Sequence, residues 1–156
     1  MPQSISKIAI HLIYSTKNRH PFLTSEEMRV RVVAYQVGIF KQLDCPSIRT
    51  KVMPDHVHSL FLLGRTQSVA DVVKNVKKDS SAWVKEHAVE WSDSMLRKFA
   101  WQTGYGAFSV SESNISKVIR YIEQQEEHHR KKTFQEEYRA FLEKHQIPYD
   151  ERYIWD

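Results

Sequence analysis

The stretch that most constrains this chain runs from Ile48 to Leu63, where two runs of strand character are separated only by Pro54-Asp55. Proline presets one backbone angle and aspartate bonds readily to nearby backbone, so the pair reads as a turn. Strands Ile48 to Met53 and His56 to Leu63 must then be antiparallel, because a parallel partner needs a crossover of a dozen or more residues. Upstream, Lys7 to Thr16 is β-branched and aromatic and reads as a buried strand. Thr24 and Glu27 have capping-box spacing and open a helix in which Met28, Val32, Tyr35, Ile39 and Leu43 recur every three or four residues. Cys45-Pro46 ends it. Ser68 can cap a second helix running to about His87, and a third strand region spans Phe99 to Val110, broken by Gly104 and Gly106. Ile115, Val118, Ile119 and Ile122 begin a third helix, which continues through Tyr121 and Gln125; Phe134 to His145 form a fourth. The order β-α-β-β-α-β predicts an α+β, ferredoxin-like split βαβ sandwich, an antiparallel sheet with helices on one face plus C-terminal helices.

At 156 residues, with 41% hydrophobic and 27% charged side chains, the chain can bury a real core and is expected to form one domain over residues 1–156. This balance excludes disordered, collagenous and low-complexity classes. No apolar run approaches the ~20 residues of a membrane helix, and Val30 to Phe40 is interrupted by Arg31 and Gln36. MPQSISKIAIHLIYS lacks the pattern of a secretory leader. A lone cysteine, Cys45, rules out an intrachain disulfide or a multi-cysteine zinc site and points to the cytoplasm.

The net charge of +4 permits a nucleic-acid partner without demanding one, so its distribution matters. At 100° per residue, Val69, Val72, Val73, Val76 and Trp83 gather on one side of the second helix, and Lys74, Lys77, Lys78, Ser81 and Lys85 on the other. That lysine face is either solvated surface or a track for backbone phosphates.

His56-Val57-His58 is the sharpest local motif. Residues i and i+2 of a strand share a face, so both imidazoles project together and can grip one divalent ion. Ordinary strands also contain the pattern, and a metal site needs a further ligand. Tyr121 and Gln125, four apart on a helix, lie one above the other: a hydroxyl able to act as nucleophile and an amide oxygen able to ligate. The bland reading of Tyr121 is a core-edge tyrosine with its hydroxyl in water. His128 and His129, near a helix C-terminus, are expected to be dipole partners, and Asp55 is expected to face away from His56. The zinc-protease H-E-x-x-H and the P-C-x-x-C half of the zinc-deaminase signature are absent.

Met53-Pro54-Asp55-His56-Val57-His58 followed by Tyr121-Ile122-Glu123-Gln124-Gln125 resembles the IS200-like family of single-strand transposases, the HUH–Y1 group. The resemblance extends from His11 to Arg19 through Trp101 to Tyr105, and on through Gln125 to Arg130 and Tyr149 to Tyr153. Ser59 departs from the large apolar residue usual there. The resemblance implies that His56, His58 and Gln125 hold Mg²⁺ or Mn²⁺ and that Tyr121 attacks single-stranded DNA, giving a 5′-phosphotyrosine and a free 3′-hydroxyl. It also implies a homodimer acting on hairpin-bearing element ends, with Lys74, Lys77, Lys78 and Lys85 gripping the backbone. Two alternatives remain. Gly104 to Val110 faintly echoes the aromatic strand motif of RNA-recognition modules, which would make this a non-catalytic binder. A domesticated transposase-like protein acting on host repeats would use the same residues.

Overall fold

The computed structural model describes residues 3–155. Four strands, β1 (Ala9–Ser15), β2 (Ser47–Val52), β3 (His56–Leu62) and β4 (Gly106–Val110), form one antiparallel sheet in the order β2-β3-β1-β4. β1 pairs with β3 and β4, and β2 with β3, which is the split βαβ order the pattern predicts. β1 is buried along its whole length because both faces of the sheet are covered.

Helices α1 (Glu26–Gln42) and α2 (Val69–Glu86) cover one face. Their apolar stripes, Met28, Val32, Ile39 and Phe40 with Val72, Val73, Val76 and Val84, meet Ile10, Leu12 and Tyr14 of β1 and Val57 and Phe61 of β3 in the main core. Ser68 caps α2 as expected, accepting from the Asp71 amide at 3.1 Å. The α1 cap falls one residue later than the Thr24–Glu27 spacing predicts: Ser25 accepts from the Met28 amide at 3.3 Å, while the Thr24 carbonyl accepts from the Arg29 guanidinium at 2.9 Å. Ser59 points into this core and accepts from Thr50 Oγ1 at 3.2 Å, so its hydroxyl is satisfied.

The other face carries α3 (Ile115–Glu123), α4 (Gln125–His129) and α5 (Phe134–Lys144). The expected continuous third helix breaks at Gln124, whose φ of −95° and ψ of 20° leave the helical region. Ile122 packs on Ala9 and Leu60, while Phe134, Tyr138 and Leu142 pack on Ile13 and Phe108. Gly106 permits the approach of α5: a Cβ there would meet the Tyr138 hydroxyl at 2.9 Å.

The third strand region is shorter than predicted. Only Gly106–Val110 is strand; residues 99–105 form a connection across the end of the sheet, joined to it by a single bridge between Thr16 and Trp101. Phe99 and Trp101 are apolar there because their rings enter the main core, and the Gln102 side chain accepts from the Ser15 amide at 2.6 Å. No helix among the described residues is long and apolar enough to cross a membrane. The sheet face that an RNA-recognition module would leave open is covered here, with Phe108 buried beneath α5, which removes the physical basis of that alternative.

Candidate active site

Strand alternation sends Leu12, Tyr14 and Val57 toward α1 and α2, and therefore His11, His56 and His58 toward α3, α4 and α5. The β1–β3 register sets Ser15 opposite His56 and Ile13 opposite His58, leaving His11 diagonal to His58. All three histidines are buried. α3 brings Tyr121 over the pair, with its ring centroid 5.7 Å from that of His58. Tyr121 and Gln125 do meet at one site, although the break at Gln124 puts them on separate helices. Gln125 is fully buried, with Oε1 3.3 Å from His56 Nε2 and 3.0 Å from His129 Nε2.

Glu137 of α5 lies at the centre of the cluster, and sequence reasoning missed it. Its Oε1 is 2.8 Å from His58 Nε2, its Oε2 is 3.4 Å from His129 Nε2, and the Tyr121 hydroxyl donates to it in a short hydrogen bond. The signal lay in the helix pattern: Phe134, Tyr138 and Phe141 make an apolar stripe, and Glu137 interrupts it with a carboxylate. His129 is a second addition and corrects the dipole-partner expectation. It sits one turn after Gln125 and faces the cluster, with its ring 4.4 Å from that of His56. Asp55 is a third. Instead of facing away, its carboxylate lies 2.7 Å from His56 Nδ1, because it belongs to the turn and escapes the alternation of the strand.

Burial pushes the Glu137 carboxyl pKa up, but hydrogen bonds from His129 and His58 outweigh it and hold the group well below the ordinary carboxylate range. An ionised carboxylate only accepts, so His58 donates from Nε2, and its Nδ1 is free to accept from His11 Nε2 at 2.9 Å. Burial lowers the pKa of both His11 and His58, so both are neutral. The Tyr121 hydroxyl pKa is raised, first by burial and then by the Glu137 charge. Tyrosinate is thus disfavoured unless positive charge arrives.

The residues suit a cation. Ligand atoms of His56, His58, His129 and Glu137 lie within 4.8 Å of one another, close to the roughly 4.2 Å that separates opposite ligands around a small ion. His56 Nδ1 lies against the Asp55 carboxylate at 2.7 Å, which leaves its Nε2 facing the cluster, 3.3 Å from Gln125 Oε1. An imidazole nitrogen and an amide oxygen are both atoms that can ligate a divalent cation.

The lysines of α2 lie on the opposite side of the sheet from the histidines. Lys74, Lys78 and Lys85 are exposed along a cleft closed by residues 100–103 and Tyr105. Lys77 is different: its ammonium donates to the Gln102, Thr103 and Gly104 carbonyls at 2.9, 3.3 and 2.6 Å, and burial lowers its pKa to about 8. It secures the connection beside the sheet, which sets it apart from the other three.

The sequence model of the family described as "Transposase IS200 like" matches residues 4–125. The ISDra2 transposase TnpA of Deinococcus radiodurans is 29% identical over 126 residues, covering 78% of this chain and 86% of that protein. A crystal structure of a Deinococcus radiodurans R1 protein assigned as a transposase superposes with a TM-score of 0.62 at 26% identity, covering 80% of this chain and 95% of that one. A REP-associated tyrosine transposase solved bound to a REP hairpin shares the fold, with a TM-score of 0.58 at 14% identity over 83% of this chain and 72% of that one. The chain belongs to the IS200-like transposase family. The family match ends at Gln125, so His129, Glu137 and the whole of α5 lie beyond it.

Proposed function

We propose that this transposase cleaves and rejoins single-stranded DNA through a 5′-phosphotyrosine on Tyr121, with a divalent cation held by His56, His58 and Gln125 and joined by His129 and Glu137. The observation that carries the reading is the carboxylate of Glu137, bonded at once to the Tyr121 hydroxyl and to His58. Nucleophile and ligand cluster are thereby held in one geometry before substrate arrives. The hairpin bound by the REP-associated relative supports a hairpin-bearing DNA substrate.

Bound at this cluster, a divalent cation would neutralise phosphodiester charge, polarise the phosphoryl group and ease ionisation of the tyrosine. The chain supplies the rest. Tyr121 Oη forms a bond to phosphorus as the bond to the 3′ oxygen breaks, and the phenolic proton, donated to Glu137 in the resting site, passes on to the departing 3′ oxygen. The 3′ oxygen leaves as a hydroxyl once protonated, and the phosphate stays on the 5′ side as the tyrosyl ester. Attack by a 3′-hydroxyl reverses the step and rejoins a strand without nucleotide; no G-x-x-x-x-G-K-[ST] is present in the sequence. Asp55 orients His56, and His11 orients His58, as outer partners do at metal sites. An imidazole-rich set favours Mn²⁺ over Mg²⁺. The acting form on this reading is a homodimer.

The test uses single-stranded DNA from the flanks of the gene with Mn²⁺. The parent should trap a covalent adduct whose modified peptide contains Tyr121. Tyr121→Phe should keep its circular dichroism and its DNA binding yet give neither nick nor adduct. An adduct on Tyr105 or Tyr138 would refute the assignment, and an active Tyr121→Phe would refute a tyrosine nucleophile at this position.

A further inference from the structure

Tyr121 and Glu137 also line a cavity of about 550 Å³ that opens between β4, α3 and α5. Its floor is aromatic. Phe108 is flanked by His145, with centroids 4.5 Å apart and planes 28° apart, and by Phe141 at 5.5 Å and 27°, while Phe141 meets Tyr121 edge-on at 5.6 Å. Its rim is cationic: Lys117, Lys132 and Lys144 are exposed around it. The lysine ion pairs among the described residues are those of Lys7 and Lys51, so these three ammonium groups are available. A purely apolar ligand would leave that rim without a role, and inorganic phosphate would leave the aromatic floor without one. A nucleotide uses both, because its base has a π-face and its backbone carries negative charge. The volume falls within the ~300–1,000 Å³ of small-ligand sites.

We infer that this cavity receives the base of a nucleotide adjoining the phosphate that Tyr121 attacks. The base stacks on Phe141 and His145 while Lys117, Lys132 and Lys144 meet the flanking phosphates. The placement relative to the scissile phosphate rests on the proposed tyrosine chemistry; the base-binding itself does not. Only a single strand can offer an unpaired base to such a recess, so the cavity would read strandedness at the reacting centre.

Binding in EDTA separates the two readings, because no strand can then be cut. Fluorescently labelled dA6, dC6 and dT6 are compared with an abasic hexamer of equal charge by anisotropy. The parent should bind the best base-bearing hexamer roughly tenfold or more tighter than the abasic one. Phe141→Ala should erase most of that difference, and so should His145→Ala, an exposed position whose change spares the fold. A Tyr105→Ala control in the α2 cleft should keep it. Replacing Lys117, Lys132 and Lys144 with Ala should weaken base-bearing and abasic strands alike. Equal binding of all hexamers by the parent, absence of measurable binding, or full discrimination in both Phe141→Ala and His145→Ala would overturn the inference. Discrimination without any adduct under cleavage conditions would uphold the cavity and remove the chemistry; an adduct without discrimination would do the reverse.

Discussion

Glu137 concentrates the chemistry of this molecule in one side chain, since it touches His58, His129, Gln125 and Tyr121 together. Glu137→Gln keeps the shape and removes the charge. Mn²⁺ affinity measured by calorimetry should fall by more than about tenfold, the loss seen when even an outer partner of a metal ligand is removed; unchanged affinity would take Glu137 out of the ligand set. The histidines give the metal-free protein a pH signature. His11 and His58 have folded pKa values depressed below 6.5, so as pH falls through about 6.5 the unfolded chain takes up protons that the folded one refuses. Stability then drops by up to about 1.4 kcal/mol per pH unit for each. His129, whose pKa is raised despite burial through its bond to Glu137, acts in the opposite sense and offsets part of the loss. The contribution of Glu137, with a depressed pKa, persists until pH falls below the ordinary carboxylate value of 4.5. The melting temperature in EDTA should therefore decline from pH 7 to pH 5, and His11→Gln should flatten the decline. A level profile would mean that these imidazoles are not buried in neutral form.

At the scale of elements, α2 separates two roles that its sequence pattern merges. Lys74, Lys78 and Lys85 reach solvent, whereas Lys77 is bonded to backbone carbonyls. Changing Lys74, Lys78 and Lys85 to Glu should weaken single-strand binding for every sequence. The salt dependence should become shallower by about 0.7 in log–log slope for each phosphate no longer neutralised. Lys77→Ala should instead loosen residues 102–104 and lower thermal stability, with a smaller change in slope. Periodicity could show which lysines share a face, but not which of them a returning loop would claim. The same limit explains the rest of what the sequence revealed and hid. The strands of the His56–His58 hairpin, both long helices and the pairing of Tyr121 with Gln125 were legible because they repeat at fixed spacings. The connection at residues 99–105 passed for strand because rings that leave it for the core look the same in sequence as rings facing out of a sheet. Glu137 passed for an ordinary first-turn acid beside Glu136, since helix starts favour acids whatever face they occupy. Gln124 gave no breaker signal, and the break there turns Gln125 and His129 inward.

For the molecule as a whole, the sheet divides two interiors of unequal strength. The face under α1 and α2 holds one large continuous cluster reaching from Ile10 to Trp101, while the face under α3, α4 and α5 holds two small clusters separated by the polar site. α4 is only five residues long and α3 nine, too short to persist without that packing. Amide deuterium exchange should therefore run at two speeds. Amides of β1, β3 and the buried side of α2 should exchange only through global unfolding, while those of α3 to α5 should exchange through a cheaper partial opening. Mn²⁺ should slow the second set selectively, because its ligands straddle the sheet and the helices above it. The layer carrying the tyrosine is then a hatch over a permanent floor: the strand histidines stay in place whenever the short helices above them open.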